Sequence, residues 1–206
     1  LEAQDITVPG DVSSAAFFLA AGAVVPGSEI LVKNVGLNPT RDGVIRVIRK
    51  MGGNIELLNK RTSGGEDTAD ILVKYSDLKA CEISGDIIPT LIDEIPILAV
   101  LAAYAEGTTY IKDAAELHYK ECDRIEAMVV NLRALGVPSI ATEDGMIIEG
   151  RGALKGGTVD SYDDHRIAMS FAIGALAAEG TVEIGKPECV SISFPDFFKM
   201  IGDFSR

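Results

Sequence analysis

One block of residues recurs three times along this 206-residue chain, and that repeat constrains the fold before any residue is given a role. Each copy opens with an acid, Asp11, Asp93 or Asp164, and an apolar helix, expected over 12–25, 96–105 and 165–178. A turn with glycine follows (Gly27, Gly107, Gly180), then a strand over 29–33, 109–112 and 182–184. A second helix comes next, over 41–51, 121–135 and from 195 to about 201. The first two copies close with hairpins, 54–58 with 70–75 and 138–142 with 146–149, the latter turned at Asp144-Gly145. The third copy reaches Arg206 with no hairpin. The units are expected at about 6–79, 80–152 and 153–206 of a single domain, the last incomplete.

Physical chemistry turns this pattern into an α/β (α+β) architecture of three α-β-α-β-β units. The first helix of each copy is apolar on nearly every face, as a helix inside a core must be. The second is amphipathic, with Val44, Ile45, Val47, Ile48 and Met51 set against Arg46, Arg49 and Lys50, and belongs outside. Asp11, Asp93 and Asp164 stand where N-caps belong, Pro96 suits a first turn, and the glycines suit left-handed C-caps. Copies related by rotation would hold the three buried helices parallel, with their N-termini at one end. Unpaired N–H groups and helix dipoles then make an anion-attracting face. The missing hairpin leaves a sheet edge to be filled by other residues, from a further segment or a partner chain.

Composition removes several classes of function. Formal net charge is −12, without the basic stripe of a nucleic-acid binder, so any anionic substrate must be held by a few local cations. The longest apolar runs, 95–105 and 167–178, fall well short of the ~20 residues of a membrane span, and no signal-peptide pattern opens the chain. Cys81, Cys122 and Cys189 form no CxxC pair and, with only two histidines, give no metal motif. A reducing cytoplasm is the expected location.

Three places carry chemistry. Lys120-Glu121-Cys122-Asp123-Arg124 opens the second helix of the middle copy, where Lys120 and Arg124 would share a face. Two cations at a helix start suit a phosphate or carboxylate, with a carboxylate between them for proton transfer; a solvated salt-bridge face is the plainer alternative. Asp163-Asp164-His165-Arg166 opens the apolar helix of the third copy. An arginine there is costly unless it is paired or faces a polar site, and a capping Asp164 with a locally paired Arg166 would also account for it. Asp93-Glu94 reads by itself as an N-cap acid. All three fall at the same end of the repeats, which independent decoration would not produce. Ser13-Ser14 has no histidine or acid beside it in sequence and reads as capping, and no nucleotide-loop motif occurs.

These residues also carry a resemblance. Pro9-Gly10-Asp11-Val12-Ser13-Ser14, Asn38-Pro39-Thr40-Arg41, Asp93-Glu94-Ile95-Pro96, Lys120-Glu121-Cys122-Asp123-Arg124, Asp164-His165-Arg166-Ile167-Ala168-Met169 and Ser193-Phe194-Pro195 resemble 5-enolpyruvylshikimate-3-phosphate synthases, in order and over nearly the whole chain. The resemblance implies one lobe, the C-terminal one, of the two-lobed enolpyruvyl transferase fold, with a missing N-terminal lobe as its partner. It implies that the enolpyruvyl group of phosphoenolpyruvate moves to the 5-hydroxyl of shikimate 3-phosphate with release of phosphate, without metal or organic cofactor. By residue match, Asp93 is the proton acceptor and Glu121 the other acid/base. Lys120 lies at the shikimate hydroxyls, Arg124 and Arg166 hold the phosphoenolpyruvate carboxylate, and His165 supports that pocket. Many members place a phosphate-binding lysine where this chain has Ile192. Two other readings stand beside this one. The chain could be an isolated lobe that folds and binds anions weakly at most. It could instead be a lobe of the related UDP-N-acetylglucosamine enolpyruvyl transferase, which lacks the Lys-Glu-x-Asp-Arg run.

Overall fold

The structure is a computed structural model and describes residues 8–63 and 65–204. Residues 6–7 and 205–206, at the two ends of the expected units, lie outside the described residues. In chain order the elements are α1 (Val12–Val24), β1 (Glu29–Gly36), α2 (Gly43–Lys50), β2 (Asn54–Ser63), β3 (Glu66–Lys74), β4 (Glu82–Ile83), α3 (Ile95–Tyr104), β5 (Gly107–Ile111), α4 (Arg124–Ala134), β6 (Ser139–Thr142), β7 (Gly145–Gly150), β8 (Gly157–Asp160), α5 (His165–Ala175), β9 (Val182–Gly185) and α6 (Phe197–Phe204).

The three apolar helices pack on one another in the centre, α3 against α5 and both against α1. Leu19, Leu98, Leu101 and Phe171 are wholly buried in that contact region. Burial of such a side chain contributes about 1.5–3 kcal/mol each. Gly174 lets α5 approach closely: a Cβ there would stand 2.7 Å from Leu154 Cδ1 and 3.0 Å from Val100 Cγ1. Its carbonyl accepts the Tyr104 hydroxyl at 2.6 Å, which locks the C-terminal end of α3 to α5.

Among the described residues three sheets surround these helices, in the orders β1-β3-β2, β4-β5-β7-β6 and β8-β9. The first two contain the hairpins, β2 antiparallel to β3 and β6 antiparallel to β7. Among the described residues the third sheet has two strands and no hairpin. The repeating unit is longer than α-β-α-β-β. A short strand precedes the first helix and pairs in parallel with the strand after it: β4 with β5, β8 with β9, and in the first copy a lone bridge from Gly10 to Val35. Strands of two to four residues show no alternation long enough to read.

Several local expectations change. Gly27 and Gly107 do have positive φ, +75° and +104°, but the helix caps are the extended residues Val25 and Ala105. Gly180 is not left-handed; a Cβ there would come within 3.2 Å of the Gly156 backbone, so close chain approach explains it. The second hairpin turns at Glu143 and Asp144, one residue earlier than expected. Helix α4 starts at Arg124 rather than at Glu121, because Asp123 caps it by accepting from the Glu126 N–H at 3.1 Å.

Candidate active site

The later start of α4 alters the middle motif. Lys120, Glu121 and Cys122 form a bend ahead of the helix, with Lys120 extended (φ −85°, ψ −159°), so Lys120 and Arg124 do not share a helical face. They meet through Asp93 instead. Lys120 Nζ lies 3.5 Å from Asp93 Oδ1, and Arg124 Nη1 donates to the same oxygen at 3.1 Å. Lys120 also pairs with Glu116, and that bond, with Asp93 behind it, raises its pKa.

Arg124 is the hub. Its side chain is 1% exposed, at the first position of α4. Nε donates to Asp164 Oδ2 at 2.7 Å and Nη2 to Glu121 Oε2 at 2.6 Å. Asp164 is itself fully buried and caps α5, its Oδ1 accepting from the N–H groups of Arg166 at 2.8 Å and Ile167 at 3.4 Å. One carboxylate therefore closes a helix end and neutralises a buried guanidinium. Burial opposes the Arg124 charge, but its bond to Asp164 and the surrounding carboxylates outweigh burial and raise its pKa further.

Asp93 does not cap α3. It sits in the short 3-10 turn Ile92–Glu94, and the cap position is Glu94, which makes no side-chain capping bond. Burial works against the Asp93 carboxylate, yet Arg166, Lys120 and Arg124 together hold its pKa below the usual range. Arg166 Nη2 lies 3.8 Å from Asp93 Oδ2, while Nη1 donates to the Asp93 carbonyl at 3.1 Å and to Glu94 Oε1 at 3.5 Å.

The first copy joins the same cluster. Ser13 hydrogen-bonds Glu94, and Arg41 Nη2 donates to Ser13 Oγ at 2.7 Å. Asp11 caps α1, accepting from the Ser14 N–H at 2.8 Å. The starts of α1 and α5 line a cleft of about 120 Å³ with Ser13, Ser14, His165, Arg166 and Ser193. Burial pushes the His165 imidazole below its usual range, which leaves it neutral at pH 7. Burial also pushes the Cys122 thiol up to about 12, so it stays protonated and points at Asp164 Oδ2. Ile192 is 80% exposed.

All six residues singled out in the sequence, Asp93, Lys120, Glu121, Arg124, His165 and Arg166, thus fall in one region. Sequence reasoning missed Glu94 and took Asp164 for a cap alone. Asp164 had a local signal, standing two residues before Arg166 at the start of an apolar helix, whereas Glu94 lies 72 residues from its partner Arg166 and had none. The expected electropositive floor is also modified. Lys120, Arg124 and Arg166 are matched by Asp93, Glu94, Glu116, Glu121 and Asp164, so the cations are compensated in this conformation. No group of three or more His, Cys, Asp or Glu side chains among the described residues is arranged to hold a metal ion, and no helix among them is long and apolar enough to cross a membrane.

The fold is that of the enolpyruvyl transferases: 95% of the chain superposes on 43% of the enolpyruvyl transferase NikO from Streptomyces tendae, with TM-score 0.73 at 20% identity. At higher identity the likeness narrows. The EPSP synthase from Acinetobacter baumannii matches 96% of the chain with TM-score 0.92 and 43% identity, across 46% of its own length. Residues 1–201 match the family model for EPSP synthase (3-phosphoshikimate 1-carboxyvinyltransferase), and the chain belongs to that family. Relatives named 3-phosphoshikimate 1-carboxyvinyltransferase are 54% identical over 201 residues in Geobacter sulfurreducens and 56% over 199 residues in a Thermoanaerobacter species. Those alignments cover 98% and 97% of the chain and 47% of each relative, so the chain spans about half the length of the curated relatives it matches.

Proposed function

We propose that this chain is a single domain, one lobe of a 3-phosphoshikimate 1-carboxyvinyltransferase. Joined to a complementary N-terminal lobe, it would transfer the enolpyruvyl group of phosphoenolpyruvate to the 5-hydroxyl of shikimate 3-phosphate with loss of phosphate. The observation that carries this reading is the Arg124 guanidinium gathered between Asp93, Glu121 and Asp164, with Arg166 on the far side of Asp93.

The chemistry is addition followed by elimination. In addition, the 5-hydroxyl oxygen bonds to C2 of phosphoenolpyruvate, the hydroxyl loses its proton, and C3 gains one to become a methyl group. In elimination, the methyl gives up a proton and the C2–O bond to phosphate breaks. Asp93 is the proton acceptor in this reading, since its lowered pKa keeps it ionised at neutral pH and 39% of its side chain is exposed to a ligand. Glu121 is the second acid/base, 47% exposed and tethered to Arg124. Lys120 reaches the shikimate hydroxyls from its place beside Asp93. Arg166 and Arg124 receive the substrate carboxylate, and neutral His165 lines the same cleft. Because Arg124 is engaged by three carboxylates, a substrate carboxylate reaches it by replacing Glu121 at Nη2, which frees Glu121 for proton transfer. Half a cleft excludes no water, so the isolated chain would turn over nothing. Its three cysteines are free, which fits a cytoplasmic setting.

The test joins this chain to the N-terminal half of the Geobacter sulfurreducens relative and follows phosphate release from phosphoenolpyruvate and shikimate 3-phosphate. Turnover by the joined protein and none by the chain alone is expected. A folded joined protein that leaves both substrates unchanged would overturn the reading.

A further inference from the structure

Glu94 is 2% exposed, yet it is an acid in a helix start that is otherwise apolar. The groups facing it come from every element around it: the Ser13 hydroxyl of α1, Arg166 of α5, Arg41 from the turn before α2, and its own neighbour Asp93. Burial raises its pKa above the ordinary carboxyl range. A carboxylate kept in such a place is a liability to folding unless it does something an apolar residue could not.

We propose that Glu94 is a positioning residue, whose buried carboxylate fixes the Arg166 guanidinium and ties it through the Ser13 hydroxyl to Arg41. The proposal rests on the reading of Arg166 as a ligand of the substrate carboxylate. Among the described residues, the Arg166 guanidinium meets the Asp93 carbonyl at 3.1 Å, Glu94 Oε1 at 3.5 Å and Asp93 Oδ2 at 3.8 Å. The last belongs to a carboxylate already shared with Arg124 and Lys120, and in the proposed reaction it changes protonation state. When Asp93 takes a proton its ion pair at Oδ2 is lost, and without Glu94 only the neutral Asp93 carbonyl would still hold the guanidinium. Glu94 lies outside the exposed cleft and holds its orientation through the cycle. The chain Arg41–Ser13–Glu94–Arg166–Asp93–Arg124 also links residues of all three repeats.

Stability and function should separate here. An acid whose folded-state pKa is raised contributes stability below its unfolded pKa and loses it as pH rises through the folded value. Above that folded value Glu94 is ionised and its burial weighs against the fold, a burden that Gln removes while keeping the shape.

The test uses Glu94→Gln in the joined protein. The melting temperature at neutral pH should stay level or rise, while KM for phosphoenolpyruvate rises at least about tenfold and KM for shikimate 3-phosphate stays within about twofold. Ser13→Ala, one link further out, should shift the same KM by less. A lower melting temperature with both KM values unchanged, or equal rises in both, would overturn the proposal. Should the wild-type joined protein show no turnover, the functional reading fails by itself, and Glu94 is judged on this chain by NMR of the Arg166 Nε–Hε group. Restricted guanidinium rotation that Glu94→Gln releases supports the anchor; identical behaviour in both proteins refutes it.

Discussion

Helices α2 and α4 hold the same place in successive repeats, yet one buries only glycine and aliphatic side chains and the other brings a guanidinium to the candidate site. Both follow an aspartate, Asp42 and Asp123. After Asp42 comes Gly43, where even a methyl group would fall on Thr90 Oγ1 and within 2.9 Å of Leu91 Cβ. After Asp123 comes Arg124, with a whole guanidinium buried at the corresponding point. The buried face of α2 is glycine and aliphatic, while that of α4 includes Arg124 and Asn131. Asn131 bonds both backbone groups of Asp160, its Nδ2 donating at 2.8 Å and its Oδ1 accepting at 3.1 Å, which pins the end of β8 before the Asp164 cap. The comparison teaches that a repeat can keep its fold while one copy gives up apolar packing for a buried ion network, and that the exchange falls in the copy that holds the candidate site.

Breaking the network should produce the largest effect. Arg124→Met leaves Asp164 buried and unpaired, and a loss of about 3–5 kcal/mol is expected in chemical denaturation, with transfer activity abolished in the joined protein. Next comes the scaffold copy: Gly43→Ala overpacks a closed corner and should cost about 1–3 kcal/mol, read as a lower denaturation midpoint with an unchanged slope. Substrate KM values should move little if α2 is scaffold only. The caps sharpen the contrast at smaller scale. Asp123→Ala removes a capping bond and should cost about 1 kcal/mol. Asp42→Ala should cost no more than a few tenths of a kcal/mol, since Asp42 makes no side-chain capping bond and its partner Arg46 is half exposed. Equal losses at the two caps would erase the distinction between the copies.

The sequence discloses the scaffold far better than the network. Helices α1, α3 and α5 are legible because they are apolar all round, and the Asp11 and Asp164 caps because they stand directly before an apolar run. The family motifs disclose the six candidate residues. The start of α4 is displaced because Lys120-Glu121-Cys122 is equally acceptable as a helical turn or a bend, and only the Asp123 cap decides. Strands β4 and β8 are too short to announce themselves. Glu94 is hidden for a different reason: beside Ile95-Pro96 it reads as a capping acid, and its partner Arg166 lies 72 residues further on. Asp164 shows its cap locally, whereas its second partner, Arg124, is 40 residues away. A propensity argument sees neighbours in sequence, and a buried ion network is made of residues that are not.

The most direct measurement replaces both ends of the buried pair with apolar groups, Arg124→Met with Asp164→Leu, and records stability and enolpyruvyl transfer on the same joined protein. If the pair is kept for substrate rather than for folding, the double variant should recover most of the stability lost by Arg124→Met alone and still transfer no enolpyruvyl group. Transfer at the parent rate by the double variant, or a stability loss equal to the sum of the two single changes, would contradict that claim.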